Sequence, residues 1–254
     1  MGYNVADLLS KMDAATGKNK NKGGGKIDYK EISEAKKRDF YKFKEGKNNL
    51  VLVTLEPGGE PFTFWNIHEG LQEKAFYSID CKEKNDGEDC LVCSVVKELQ
   101  DEDYKGNETT WKPIRWKTQY YATVVNVESE ATIKEGIKWV KLANSITGTM
   151  TEWLRNLEAD EEPFYSDKEP QKLIITYDSS AAPADKYKID KKSYKGFSEE
   201  QLTEWRSKLK PFREYQILKS QAEVKKLVDS YLEKVANEVS ESSDTESKLS
   251  SLKN

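Results

Sequence analysis

The only histidine and all three cysteines of this chain lie between residues 68 and 93. Twelve residues separate His68 from Cys81, eight separate Cys81 from Cys90, and Cys93 follows Cys90 after two more. Neither residue type occurs anywhere else in the 254 residues, so chance placement explains the cluster poorly. We therefore expect this region to fold so that the four side chains meet.

The four side chains have the chemistry of a zinc site. Structural zinc sites use four cysteine or histidine ligands in a tetrahedron, and Cys90-Leu-Val-Cys93 is a short turn that presents two thiolates to one ion. We predict one bound Zn²⁺ with His68, Cys81, Cys90 and Cys93 as its ligands. Because four protein ligands leave no position for a reactive water, the ion is expected to be structural.

An enzyme is the less favoured interpretation. A zinc deaminase needs His-x-Glu and a later Pro-Cys-x-x-Cys, whereas this chain has Gly70 two residues after His68 and Asp89 before Cys90. No second histidine is left for general base work, and the Asp and Glu residues form no spacing typical of a catalytic pair. We predict a protein that is not an enzyme, with a metal-dependent nuclease or deaminase as the catalytic alternative.

Composition limits the size and location of the fold. With 34% charged and 36% hydrophobic residues, the chain can bury the core of one domain of about 200 residues with polar ends. No apolar run approaches the ~18 residues of a membrane helix, and the first residues lack the features of a secretion signal. We expect no membrane partner and a cytoplasmic location, where thiolates stay reduced.

Charge is distributed unevenly, although the formal net charge is only −4. Residues 1–50 carry twelve basic and seven acidic side chains, and residues 236–247 carry four acids and no base. A basic N-terminal segment together with an acidic C-terminal tail is suited to a protein whose tail competes with a polyanion for one groove. Ordinary solvation of two polar ends explains the same charges equally well.

Periodicity and turn residues predict three regions. Residues 1–26 are expected to be a flexible N-terminal segment with a basic linker, and residues 221–254 a helix with an acidic, serine-rich tail. Between them we predict a core at residues 27–220, with a zinc subdomain at about 61–105.

Within the core we expect an α+β fold that is mainly β: an OB-type barrel with the zinc subdomain inserted and helices at its flanks. The predicted strands are 49–55 with 61–67 as its hairpin partner, 113–127, 137–142 and 172–177. The predicted helices are 91–99, 222–236, and two that begin at the capping boxes Thr149-x-x-Glu152 and Ser198-x-x-Gln201.

The segment from residue 111 to 121 is the strongest candidate for a binding surface, because it combines aromatic and basic side chains with no acid. Bases stack on aromatic rings while cations hold phosphates. Side chains alternate along a strand, so only one of two successive tyrosines can face such a groove. The alternative is that all the aromatic residues pack inside. The candidates are Trp111, Lys112, Arg115, Trp116, Lys117, Tyr120 and Tyr121, with Tyr187 and Lys188 as a weaker second set.

The order of these features resembles one known family. Pro61-Phe62, His68, Cys81 and Asp89-Cys90-x-Val92-Cys93 are followed by Arg115-x-Lys117-Thr118-x-Tyr120-x-Ala122. This run is similar to the zinc-containing single-stranded DNA-binding, or helix-destabilising, proteins of T-even-like bacteriophages. Residues 6–12 are similar to the N-terminal helix of that family, and the resemblance is clearest from residue 41 to 142.

The resemblance implies an OB-type fold with an inserted zinc subdomain and a basic cleft. It also implies self-association along DNA through the N-terminal segment and recruitment of replication proteins through the tail. Positions like those lining the family's cleft are occupied by Tyr104, Trp111, Arg115, Lys117, Tyr120 and Tyr121.

The expected function is therefore non-enzymatic coating of exposed single strands during phage DNA replication, recombination and repair, in the host cytoplasm. The residues alone leave open a zinc-dependent regulator that binds single-stranded RNA, since stacking and cationic grooves accept both polymers. The chain departs from the family at Gly2-Tyr3-Asn4, where the family has a basic cluster, and at Gly87, where it has an aromatic residue.

Overall fold

The computed structural model describes residues 29–57, 59–71, 78–101, 108–158, 161–166, 169–216 and 218–251. For Tyr29, Asp101 and residues 238–251 it describes the backbone only. The predicted N-terminal segment at residues 1–26 and the candidate residue Tyr104 lie outside these ranges.

The described residues form an α+β fold, which confirms the predicted class. The helices are α1 Tyr29–Asp39, α2 Lys82–Asp86, α3 Leu91–Asp101, α4 Glu130–Lys134, α5 Asn144–Arg155, α6 Glu199–Lys208 and α7 Gln221–Ser251. The strands are β1 Phe40–Tyr41, β2 Gly46–Leu52, β3 Phe62–His68, β4 Ile79–Asp80, β5 Trp116–Asn126, β6 Ile137–Leu142, β7 Gln171–Tyr177 and β8 Tyr187–Ser193. Short 3₁₀ helices occur at Lys112–Ile114 and Phe212–Tyr215.

The chain divides into two compact units. The sheet unit comprises Asp28–Trp65 and Thr118–Gln216. The metal unit comprises Asn66–Lys117 and the C-terminal segment Ile217–Asn254, which contains α7. The chain passes from one unit to the other within β3, within β5 and just before α7. All four predicted zinc ligands therefore belong to the same unit as the C-terminal helix.

The sheet follows the order β1-β6-β5-β2-β7-β8, with β3 paired to β5 and β4 beside this path. β1 is parallel to β6, whereas the β2, β5, β6, β7 and β8 pairings are antiparallel. Over the described residues the path has two ends, at β1 and β8, so the sheet is mixed and open. A closed barrel is not formed by these pairings.

The middle strand β2 explains why the sheet unit has two cores. Leu50 and Leu52 point into one apolar cluster with Ala122 of β5, and Val51 and Val53 point into another with Val125. A strand buried on both faces reads as a continuous apolar run, as this stretch does. Helix α5 covers the first face and α6 the second, with Met150 and Trp205 respectively.

Two of the predicted local features are wrong. Strand β2 pairs with β5 and β7, so both of its edges are occupied and residues 61–67 are not its hairpin partner. Helix α5 begins at Asn144 rather than at Thr149, whose hydroxyl donates to Ser145 O at 3.1 Å. Threonine inside a helix makes this i−4 bond, so the motif at Thr149 did not mark a helix start.

The capping box at Ser198 is confirmed. Ser198 Oγ accepts from the Gln201 backbone N–H at 3.3 Å, and Gln201 Oε1 accepts from the Ser198 N–H at 3.0 Å. Two N–H groups that a helix start leaves without partners are satisfied in this way. Helix α6 accordingly begins at the next residue, Glu199.

Helix α7 packs its predicted apolar face on the metal unit. Val228 and Leu232 are fully buried against the core to which α3 contributes Val95 and Leu99. Tyr231 fixes the contact because its hydroxyl donates to Thr110 O at 2.7 Å. None of the helices in the described ranges, α7 included, has the combination of length and apolarity that a bilayer crossing needs.

Candidate metal centre and nucleic-acid interface

The four candidate ligands sit at the ends of regular elements in the metal unit. His68 is the last residue of β3, and Cys81 directly follows β4 and precedes α2. Cys90 directly precedes α3, and Cys93 lies in its first turn. Residues of β3 and β4 pair antiparallel, His68 opposite Ile79, which brings the first two ligands together.

The ligand atoms are spaced for one tetrahedral ion. Cys81 Sγ lies 3.5 Å from Cys93 Sγ, and His68 Nε2 lies 3.3 Å from Cys90 Sγ and 3.6 Å from Cys93 Sγ. Zinc bonds of about 2.0 to 2.3 Å in a tetrahedron require separations of about 3.3 to 3.8 Å between ligand atoms. All four atoms lie within 4.8 Å of one another, so the cluster can hold a metal ion. The three cysteines are free of disulfides.

The second nitrogen of His68 sets the orientation of its ring. Nδ1–H donates to Ile114 O at 2.8 Å, which leaves Nε2 directed at the cysteine sulfurs. Such a hydrogen bond selects the tautomer of a metal-binding histidine and fixes its plane. Burial lowers the pKa of His68, but hydrogen bonds to Cys81 and Cys90 outweigh it and raise the pKa to about 10 in the metal-free protein.

The cluster is enclosed by apolar side chains. His68 is 1% exposed and the most exposed of the cysteines, Cys90, only 6%. Val92, Ile114 and Val228 are packed into the same core. A metal ion held by these four side chains would therefore lie within a mostly apolar core.

Asparagine side chains that the sequence did not single out hold the Cys81 loop. Asn85 Nδ2 donates to Asn66 O at 2.8 Å and to Asp80 Oδ1 at 2.6 Å, and Asn85 Oδ1 accepts from the Asn66 N–H at 2.9 Å. The Cys81 N–H donates to the same Asn66 carbonyl at 2.9 Å. Asn66 and Asn85 are nineteen residues apart, so no sequence spacing reveals this bridge.

Close packing at Gly70 also shapes this region. Its φ is +82°, and a Cβ there would lie 2.7 Å from Pro113 O. Only glycine combines that backbone conformation with so close an approach. The turn after His68 is therefore fixed against the segment that leads into β5.

The candidate aromatic residues of the metal unit differ in their surroundings. Trp111 packs partly buried against the metal-unit core, and Lys112 forms an ion pair with Glu108. Trp116 is also partly buried in that core, but Lys84 Nζ and Arg115 Cζ lie 5.7 and 5.9 Å from the centroid of its ring. Trp116 thus combines an aromatic face with two cations, and Lys84 was not among the sequence candidates.

Lys117 extends this basic surface. Its side chain is 56% exposed, and Nζ lies 3.0 Å from Glu69 Oε2, whose side chain is 44% exposed. A pair this open to water has a weak interaction, typically below about 1 kcal/mol. A phosphate can therefore compete with the Glu69 carboxylate for Lys117.

Tyr120 and Tyr121 lie on opposite faces of β5 in the sheet unit. Tyr121 is 8% exposed and its ring centroid lies 4.4 Å from that of Phe212 and 6.3 Å from that of Phe40. Tyr120 is 41% exposed. Of the two tyrosines, Tyr120 is the one that solvent and a ligand can reach.

Phe64 is a second exposed ring, which sequence analysis missed. It is 61% exposed and, with Tyr120, is one of two large apolar side chains exposed in the described part of the chain. Pro61 and Thr123 are joined by a 2.9 Å backbone hydrogen bond, and His68 bonds Ile114. Strands β3 and β5 therefore run in opposite directions. Three residues beyond Pro61 on one strand and three residues before Thr123 on the other, Phe64 lies opposite Tyr120, and the two side chains share one face of the sheet.

The second candidate set lies at the other end of the sheet. Tyr187 of β8 stacks on Tyr177 of β7, with centroids 4.9 Å apart and planes at 26°. Lys188 is exposed beside it on the same terminal strand. Strand β8 was partly missed because Tyr187–Ser193 reads Tyr-Lys-Ile-Asp-Lys-Lys-Ser, which is as typical of a polar loop as of an edge strand.

The structure thus distributes the candidates over both units. Trp111, Lys112, Arg115, Trp116 and Lys117 belong to the metal unit, and Tyr120, Tyr121, Tyr187 and Lys188 to the sheet unit. Neither a family model nor a curated protein matches this chain.

Proposed function

We propose that this protein binds single-stranded DNA without sequence specificity, coating and protecting exposed strands during phage DNA replication, recombination and repair. It carries out no chemical step itself. The observation that supports this most directly is the pair of exposed rings Phe64 and Tyr120 on neighbouring strands. Exposed apolar side chains that lie next to each other are typical of interaction sites.

Stacking explains why such rings suit a single strand. Every base has a π face, so aromatic side chains hold successive bases without reading their identity, at about 1 to 3 kcal/mol per base. The cations over and beside Trp116, which are Lys84, Arg115 and Lys117, supply the charge that phosphates require. Stacking on aromatic side chains favours an unpaired strand over a duplex, whose bases are stacked on each other.

We infer that the metal is Zn²⁺ and that its role is structural. Three sulfur ligands and one imidazole nitrogen at tetrahedral spacing are the set that zinc prefers. His68 ends β3, and its Nδ1–H bonds Ile114 just before β5 begins. The bound ion would therefore fix the ends of the two strands that carry Phe64 and Tyr120.

The proposed fold is a partly open OB-type barrel with the metal unit inserted, which is compatible with the two free ends of the sheet path at β1 and β8. Its support is the connectivity: the sheet unit is interrupted between β3 and β5 by the residues that bear the ligands. OB folds bind oligonucleotides across a strand face, and β5 is the strand where the candidate rings lie. We place the protein in the host cytoplasm, where its thiolates stay reduced.

Two protein partnerships complete the proposal. The acidic residues after position 237 would recruit replication proteins, and residues 1–12 would mediate self-association along DNA. Both follow from the resemblance to the phage family and from the acidic and amphipathic character of those segments.

The test is a titration of the protein with poly-dT and with poly-U of equal length at several salt concentrations. Binding is monitored by intrinsic tryptophan fluorescence. We expect tighter binding to poly-dT and an affinity that falls as salt rises. Tyr120→Ala and Phe64→Ala should each weaken binding by about 5- to 150-fold, while Tyr120→Phe, which keeps the ring, should bind like the parent. Tighter binding to poly-U would favour the RNA regulator, and no binding to either polymer would refute the proposed function.

A further inference from the structure

A pocket in the sheet unit is lined by aromatic rings and lysines. Its volume is about 360 Å³, at the lower end of the range of about 300 to 1,000 Å³ for small-molecule sites. No acidic residue is among the lining residues that the structure describes. Its rings are Tyr41, Phe43, Tyr177 and Tyr187, and its lysines are Lys42 and Lys141.

The four rings form one continuous wall. Tyr41 meets Phe43 edge to face with centroids 5.8 Å apart, and Phe43 meets Tyr187 in the same way at 5.3 Å. Tyr187 then stacks on Tyr177 at 4.9 Å. A planar, uncharged ligand can lie against such a wall by stacking or by edge contacts.

Asn48 holds this wall in place. Its buried amide accepts from the Tyr41 hydroxyl at 2.6 Å and from the Lys44 N–H at 2.9 Å, and it donates to Lys44 O and Gly46 O at 2.9 and 3.0 Å. The turn that carries Lys42 and Phe43 is therefore closed by one side chain. A pocket formed in advance loses less entropy when a ligand binds.

The pocket is lined by the residue that pairs with Tyr120. Tyr120 pairs directly with Leu142 across β5 and β6, and Leu142 lines the pocket. Neighbouring strands are about 4.8 Å apart, so one nucleotide step separates a base stacked on Tyr120 from the pocket. Lys42, which is exposed and lines the pocket, can hold the connecting phosphate.

We propose that this pocket takes one unstacked base of a DNA single strand that crosses Tyr120, with the adjoining phosphate held by Lys42. The assignment rests on the proposed function, and it adds a defined subsite for a single nucleotide. A lining of rings and lysines with no carboxylate among its described residues fits a neutral base joined to an anionic backbone, whereas a basic peptide would need carboxylates in the lining.

Photocrosslinking tests the pocket directly. A (dT) oligomer with 5-iododeoxyuridine at one position is bound, irradiated and mapped by mass spectrometry, with the substituted position moved along the oligomer. We expect adducts on Tyr177, Tyr187 or Phe43 for at least one position. Adducts confined to Phe64, Tyr120 or Trp116 would overturn the pocket while leaving the proposed function standing, and absence of any complex would overturn both.

Substitutions give an independent measurement with the same oligomer. Tyr187→Ala should weaken binding at least five-fold without changing the salt dependence, and Tyr187→Phe should bind like the parent. Lys42→Ala should make the slope of log affinity against log salt shallower by about 0.7, whereas Lys47→Ala, an exposed lysine of β2 outside the pocket, should leave it unchanged. Equal affinities and slopes for Tyr187→Ala, Lys42→Ala and the parent, all with unchanged melting curves, would refute the pocket.

Discussion

At the scale of one side chain, His68 uses both of its ring nitrogens. Nε2 faces the cysteine sulfurs, and Nδ1–H donates to Ile114 O. The ligand set itself could be predicted because these residue types occur nowhere else in the chain. The bond to Ile114 and the bridge between Asn66 and Asn85 could not, because backbone carbonyls and asparagines carry no spacing signal.

Removal of one ligand should abolish metal binding and destabilise the protein. Structural zinc contributes about 10 to 16 kcal/mol of apparent binding free energy in small peptides, so we expect Cys90→Ser to lower Tm by about 10 °C or more. Metal content and thermal melting measure the effect. The control is Ser94→Ala, which changes an exposed neighbour of Cys90 and should retain the metal. A chelated parent protein that melts at its original temperature would show that the metal is not structural.

Burial of the Tyr41 hydroxyl predicts a loss of stability in alkali. Burial, together with the charge of Glu128, raises the pKa of Tyr41 to about 12 from an ordinary value near 10. The unfolded chain therefore loses this proton at a lower pH than the folded protein does. The contribution of the protonated Tyr41 hydroxyl to the free energy of unfolding is complete below pH 10 and disappears as pH rises towards 12. The free energy of unfolding of Tyr41→Phe should fall less steeply than that of the parent over this interval. Parallel slopes in urea titrations would contradict the assignment.

At the scale of elements, β5 shows what a pattern can and cannot predict. Side chains alternate along the strand, so the sequence predicts that Tyr120 and Tyr121 lie on opposite faces of the sheet. Because β5 has apolar residues on both faces, the sequence does not show which of the two tyrosines is buried. Only the packing of Tyr121 on Phe212 resolves this. Strand β6 was predicted with its observed bounds. The prediction that residues 61–67 form a hairpin with β2 was wrong, because turn residues after a strand do not specify which strand pairs with each of its edges.

The two tyrosines should respond differently to truncation. Tyr121→Ala removes a buried ring and should cost about 3 to 5 kcal/mol of stability. Tyr120→Ala should leave the melting temperature nearly unchanged and weaken binding to dT oligomers. Thermal melting and fluorescence titration of both variants distinguish these effects. A stable Tyr121→Ala protein that binds poorly would mean that the DNA lies on the opposite face of β5.

Stacking and charge can be separated at the start of the same strand. Trp116→Ala should reduce affinity with little change in salt dependence, because a stacked base involves no counterion release. Lys117→Ala should reduce the magnitude of the salt slope by about 0.7. Titrations with dT oligomers at four or more salt concentrations give both quantities. An identical slope for Lys117→Ala and the parent would remove this lysine from the phosphate contacts.

At the scale of the whole molecule, the two ends of the chain differ in charge: residues 1–50 have an excess of basic side chains, and the end of α7 is acidic. Val228, Leu232 and Val235 are buried, so α7 up to this point is part of the folded protein. The acids at residues 238–246 come after it. Patterning could predict the helix and its apolar face, but the assignment of that face to the unit with the metal ligands needed the three-dimensional contacts.

Deletion of residues 237–254 should tighten binding to dT oligomers modestly at low salt. We expect the deleted acids to compete with DNA for cationic side chains, and the truncation spares the buried residues of α7. The difference from the full chain should shrink as salt rises, since screening weakens both attractions. Affinity is measured at 20 mM and about 200 mM salt, where the Debye length falls below about 10 Å. Weaker binding of the truncated protein at low salt would count against competition by the tail.

The core around the metal ligands draws on parts of the chain that are made at different times. Leu99 of α3 and Val228 of α7 belong to one cluster although they lie 129 positions apart in the sequence. A ribosome adds about 5 to 20 residues per second, so roughly 6 to 26 s pass between the synthesis of the two. During that interval the apolar face of α3 lacks the side chains of α7 that cover it in the folded protein.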